Sequence, residues 1–209
     1  MRPLDVLTLA VLAYVGFRLA DAARHAVLSR SYVRKIVGGL RWRHFLLALP
    51  VLAVVVSLAL LFFQIPGLSF GWWTALGGEG NPVFGSAPPQ TVGRFNAVIP
   101  IVFAVLLVIG LPLLVEAEEW VFRRGAEYRS GWGNLRWAVS FGLVHALVGI
   151  PIGAALALSV GGVYLTWTYL RMWSKTGSQE EALIESTRAH LAYNLVIVAI
   201  VASALLAGV

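Results

Sequence analysis

Two carboxylates, Glu118 and Glu119, stand side by side just past a strongly apolar run at residues 99–115, and two later apolar segments each carry a histidine, His145 and His190. Adjacent carboxylates are among the costliest groups to place in or beside hydrocarbon, so away from solvent they need a compensating role. On a helix, residues four apart share a face, which pairs Glu119 with Arg123 and turns Glu118 about 100° away. The same spacing sets Phe141 beside His145 and His190 beside Asn194. At a rise of about 1.5 Å per residue, Glu118, His145, His190 and Asn194 all fall in the half of their segments nearer the basic linkers. That common depth predicts a shared cavity. A carboxylate and an imidazole can activate water, while a second histidine and an asparagine amide donate hydrogen bonds to an oxyanion. The set suits amide hydrolysis without a covalent intermediate and with no cofactor. Zinc held by Glu118, His145 and His190 is the alternative; against it, the local HExxH spacing is missing.

The elements that must position these groups follow from composition. Of 209 residues 59% are apolar and 12% charged, with a mean hydropathy of +0.81; a typical soluble domain carries roughly twice that charged fraction. Apolar runs near the length of about 20 residues needed to span a bilayer lie at 4–23, 45–65, 97–118, 136–150, 152–171 and 189–208. The expectation is an all-α, polytopic integral membrane bundle of about six transmembrane helices. The first run reads as a retained helix rather than a signal peptide, because Arg18, Asp21 and Arg24 follow it with no small-residue cleavage pattern. Gly149-Ile150-Pro151 breaks the fourth run from the fifth, and two spans are expected there in preference to a re-entrant hairpin. Residues 1–96 then hold two helices, a basic linker and an outer Gly/Pro/Trp-rich loop, and residues 97–209 a four-helix core.

Arg24, Arg30, Arg34, Lys35, Arg41 and Arg43 crowd the first linker, and Arg123, Arg124, Arg129 and Arg136 the third. Both linkers are therefore expected in the cytoplasm, with residues 66–96 on the opposite face of the cytoplasmic (inner) membrane. The fifth linker returns to the cytoplasm, with residues 178–188 as an interfacial helical turn or two. The basic residues form no patch interleaved with stacking aromatics, which argues against nucleic acid as a partner and for the lipid bilayer. The chain has no cysteine, so disulfides, thiolate metal sites and a cysteine nucleophile are excluded. His25 and His44 read as linker residues without chemistry, and Glu116 as a further cavity or interface carboxylate. Trp72, Trp73, Trp120, Trp132 and Trp137 read as interfacial belts.

Glu118-Glu119-Trp120-Val121-Phe122-Arg123 resembles the EExxxR motif of the CAAX prenyl protease and bacteriocin-processing family, which also includes abortive-infection-like proteins. Phe141-Gly142-Leu143-Val144-His145 resembles its FxxxH motif, and His190-Leu191-Ala192-Tyr193-Asn194 its HxxxN motif. All three appear in the family's order, and the likeness covers roughly residues 97–208. The resemblance implies an intramembrane endopeptidase with a helical core around a conical cavity open to the cytosol. It implies Glu118 as general base, His145 as its partner on the water, His190 and Asn194 as oxyanion donors, and Glu119 and Arg123 as supports. A prokaryotic member would act on peptide or membrane-protein substrates. Two other classes compete: a non-catalytic accessory, immunity or assembly subunit of a larger membrane complex, and a small proton-coupled carrier. The carrier lacks the expected inverted repeat.

Overall fold

The computed structural model describes residues 3–72 and 95–207. These form seven helices, α1 (Pro3–Leu28), α2 (Arg30–Val37), α3 (Trp42–Phe62), α4 (Phe95–Phe122), α5 (Gly131–Val144), α6 (Ile152–Thr176) and α7 (Gln179–Ala207). Single 3-10 turns follow α4 at Ala126–Tyr128 and α5 at His145–Val148, and the described residues contain no strand. Much of the outer loop, including Trp73 and Arg94, lies outside the described residues.

Two of these helices, α3 and α6, are long and apolar enough to cross a membrane. Among the described residues these two meet that test, of the six spans expected from the apolar runs. In α3 only 11% of the most apolar stretch is buried within the protein. Leu46, Leu49, Val54, Val56, Leu60 and Leu61 stand exposed along it, a wall of hydrocarbon far larger than a water-facing surface carries. By contrast α6 is the central helix, packed against α3, α5 and α7, while α1 lies on α4. The two halves expected from the sequence are therefore interleaved: α3 from the first half packs on α6 and α7 of the second.

Several helices continue through the polar segments that bound the apolar runs. Residues 179–188, expected as a helical turn or two leading into the last span, are the first part of the continuous helix α7, and Ala182, Ile184, Ser186 and Thr187 within them are buried in the bundle. Their charges are accommodated by the first linker. Lys35 Nζ lies 2.7 Å from Glu180, Arg43 Nη2 2.6 Å from Glu185, and Arg188 donates to the Lys35 and Ile36 carbonyls at 2.8 and 3.2 Å. His44, read from the sequence as inert, is 3% exposed. Its Nδ1 accepts the Arg41 N–H at 3.0 Å, so Nε2 carries the proton and donates to Glu185 at 3.1 Å. The third linker joins at the same end, where Glu127 accepts from Tyr169 at 2.9 Å and from Gln179. His25 does keep to the surface, 3.2 Å from Asp21 one turn earlier.

At the other end of α6 the chain after α3 closes the bundle. The first N–H groups of a helix have no partner within it; here Ile152 and Gly153 donate to the Phe70 and Leu68 carbonyls at 2.9 and 2.7 Å. Trp72 is half-buried and donates its indole N–H to Ala146 and Leu147 in the 3-10 turn after α5. Trp120, Trp132 and Trp137 are exposed.

Between α5 and α6 the backbones approach closely at two glycines. A Cβ on Gly162 would stand 2.5 Å from the Ala138 carbonyl oxygen, and one on Gly142 would stand 2.7 Å from Ser159 N. Small residues at such crossings let helices pack through backbone contacts. Gly162→Ala is expected to destabilise the protein by about 1–3 kcal/mol through overpacking, read as a lowered midpoint of thermal unfolding in detergent. The Glu185 carboxyl is lowered to about 2, by the His44 hydrogen bond first and then by the charge and hydrogen bond of Arg43. That lowering, which the His44 hydrogen bond leads and the Arg43 guanidinium reinforces with no charge needed on the neutral His44 ring, contributes stability that is present above the ordinary carboxylate value of 4.5 and is lost as pH falls towards about 2. Glu185→Gln should flatten the difference in unfolding midpoint across that window, and an unchanged slope would remove this account of the cluster.

Candidate active site

Glu118 and Glu119 end up in different surroundings, as their opposed directions on α4 require. Glu119 is wholly buried. One of its oxygens accepts from Ser186 Oγ at 2.7 Å and faces Arg123 Nε at 3.5 Å; the other meets His190 Nδ1 at 2.9 Å. Arg123 is also fully buried, one turn further along α4. Its guanidinium lies 4.2 Å from the centre of the Phe141 ring, a cation–π contact, and reaches the Gly162 carbonyl at 3.4 Å. Leaving either charge uncompensated inside the protein would be costly, so each fixes the other. Together they tie α4 to α5, α6 and α7.

Glu118, by contrast, keeps 42% of its side chain exposed, and its Oε2 stands 3.7 Å from His190 Nε2. A carboxylate accepts only, so the bond to Glu119 places a proton on His190 Nδ1 and turns Nε2 towards Glu118. His145 is oriented in a similar way. It is the first residue of the 3-10 turn, and Nδ1 lies 2.7 Å from the Phe141 carbonyl. The carbonyl likewise only accepts, which leaves Nε2 of the neutral ring as the free basic nitrogen. Phe141 sits between the two imidazoles, edge to face with both, at centroid distances of 5.1 Å from His145 and 5.5 Å from His190.

A cavity of about 190 Å³ is lined by Glu118, His145, His190 and Asn194 together, with Phe141, Tyr164 and Tyr193 also in its wall. The four residues proposed from spacing thus meet around one space; of the three supports Phe141 joins its wall, and Glu119 and Arg123 stand behind it. The expected depth needs correction. Because α5 begins at Gly131 rather than near Arg136, His145 lies about 21 Å from its start, just past the end of the element. The cavity extends to Ile150 and Ile197, towards the end of the bundle opposite the basic linkers. Among the described residues no three His, Asp or Glu side chains are grouped to hold a metal ion.

Sequence reasoning missed Ser186 and Tyr193. Ser186 was legible in principle, since it lies one turn before His190 and completes a stripe with Asn194. Tyr193 had no such signal: its hydroxyl is buried with no hydrogen-bond partner and borders the cavity, a fact of packing alone. A buried hydroxyl so placed can donate to a bound water or substrate oxygen. Comparison with protein-family models, curated proteins and solved structures finds no match.

The contrast between the carboxylates gives a stability test. Glu119→Ala leaves Arg123 buried without its partner and should cost about 3–5 kcal/mol. Glu118→Ala removes a half-exposed group and should change stability by no more than about 0.5 kcal/mol. Denaturant unfolding in the same detergent compares the two, and equal losses would contradict the division of roles.

Proposed function

We propose that the chain is an intramembrane endopeptidase of the CAAX prenyl protease and bacteriocin-processing family, acting on peptide or membrane-protein substrates in the cytoplasmic membrane. The observation that carries this reading is the placement of Glu118, half-exposed and within 3.7 Å of an imidazole nitrogen, in a cavity it shares with His145 and Asn194. In the proposed reaction a water held between Glu118 and His145 Nε2 gives its proton to the carboxylate as its oxygen attacks the scissile carbonyl carbon. The negative charge moves to the carbonyl oxygen, where the Asn194 amide and His190 donate hydrogen bonds. When His190 donates from Nε2 its ring carries a positive charge, and the Glu119 carboxylate on Nδ1 compensates it. Collapse of the tetrahedral intermediate breaks the C–N bond, and Glu118 returns its proton to the leaving amine. No metal takes part.

The basic linkers, gathered at one end of the bundle, lie in the cytoplasm in this reading, and six helices cross the bilayer. A cavity reaching into the apolar part of the bundle suits a peptide bond presented from within the membrane, where water must be admitted selectively.

Glu118→Ala and His145→Ala are each expected to lower cleavage of a cognate substrate by about 10²–10⁴-fold while leaving a folded, membrane-inserted protein. In cells carrying only the Glu118→Ala protein an uncleaved membrane polypeptide should accumulate. Full activity in either variant would refute the assignment, and loss of wild-type activity after exhaustive chelation, restored by zinc, would replace the water-activating carboxylate with a metal.

A further inference from the structure

A second cavity, of about 160 Å³, lies between the first turns of α3 and the last turns of α6, and its wall includes Arg43, Arg171, Lys175, Glu185, Leu47 and Trp167. Three cations face one carboxylate, and that carboxylate is already engaged. Glu185 is held by Arg43 at 2.6 Å, His44 at 3.1 Å and Arg188 at 3.5 Å. Arg171 and Lys175, one turn apart on α6 and both exposed, have no carboxylate partner among the described residues. The space therefore carries surplus positive charge and invites an anion.

Its position selects the kind of anion. Both helices that border it are, among the described residues, long and apolar enough to cross a membrane, and it sits where α3 begins and α6 ends. Trp42 and Trp167 are 73% and 47% exposed there, amphipathic rings of the type that settle at the headgroup level. Arg171 lies 5.1 Å from the centre of the Trp167 ring, which is stacked on Tyr164. From this rim the apolar side chains of α3, beginning with the exposed Leu46 and Leu47, run down the helix. A ligand that matches both parts joins a phosphate to hydrocarbon chains.

We propose that this pocket binds the headgroup of an anionic membrane phospholipid, its phosphate between Arg171, Lys175 and Arg43 and its acyl chains along α3 and α6. Basic pockets between helices at a membrane boundary recognise such headgroups. Tyr164 borders this pocket and the Glu118 cavity alike, so a bound headgroup shares a wall with the candidate active site. The site itself stands whether or not the protein is a protease.

Native mass spectrometry of the full chain, released from micelles containing equal amounts of phosphatidylglycerol and phosphatidylcholine, tests the proposal. The wild type should retain phosphatidylglycerol preferentially. Arg171→Gln/Lys175→Gln should weaken that binding roughly thirtyfold, and each single variant about fivefold, at the usual worth of a basic residue near an anionic lipid surface. The single variants keep the test readable if the double variant fails to fold, and Arg124→Gln/Arg136→Gln, which alters exposed cations elsewhere, should retain the lipid as the wild type does. Equal retention of the two lipids, or undiminished phosphatidylglycerol binding in the folded double variant, would overturn the proposal. So would displacement of the lipid by inorganic phosphate alone, which would assign the pocket to a soluble anion, or binding of a polyglutamate peptide in place of lipid.

Discussion

A carboxylate and a guanidinium with no access to solvent, Glu119 and Arg123, set the terms for the rest of the bundle. Desolvating two such ions costs several kcal/mol each, and their mutual attraction offsets it with the help of further hydrogen bonds and ring contacts from a surrounding shell, although Arg123 Nε and Nη1 are left without hydrogen-bond partners among the described residues. Here the shell is drawn from three other helices: Ser186 and His190 on α7, Phe141 on α5 and the Gly162 carbonyl on α6. Each of those groups is thereby placed. The neighbouring Glu118, one residue earlier, is then aimed into the cavity by helix geometry alone.

The same economy of position explains the two histidines. One tautomer is set across helices and the other within a single turn. His190 is oriented by Glu119 and His145 by the carbonyl of its own preceding turn. Both leave Nε2 available, and Phe141 holds the rings apart by packing its edges and face between them. Close approach of α5 to α6 at Gly142 and Gly162 brings this arrangement within reach of the cavity wall. Preorganised polar groups in a water-poor space act more strongly than the same groups in bulk water.

Much of this was legible in the sequence because helical spacing converts directly into facing. Glu119 with Arg123, Phe141 with His145, and His190 with Asn194 are pairs four apart, and all three pairs behave as their spacing requires. What spacing cannot supply is the starting point of a helix. The apolar run beginning near residue 136 hid the helical residues 131–135, and that shift carried His145 deeper than the count from Arg136 implied. The polarity of residues 179–188 likewise disguised a buried helix, because its charges are matched by Lys35, Arg43 and His44, more than a hundred residues earlier in the chain. Pairings over that range follow from packing and leave no local pattern.

Trp72 and the carbonyls of Leu68 and Phe70 have a mechanical consequence. Through them a short strip after α3 grips both the turn that begins with His145 and the opening residues of α6. The backbone that positions the imidazole and the first turn of the central helix are therefore anchored to the same few residues. The strip acts as a clasp across the corner at Gly149-Ile150-Pro151, joining its two sides.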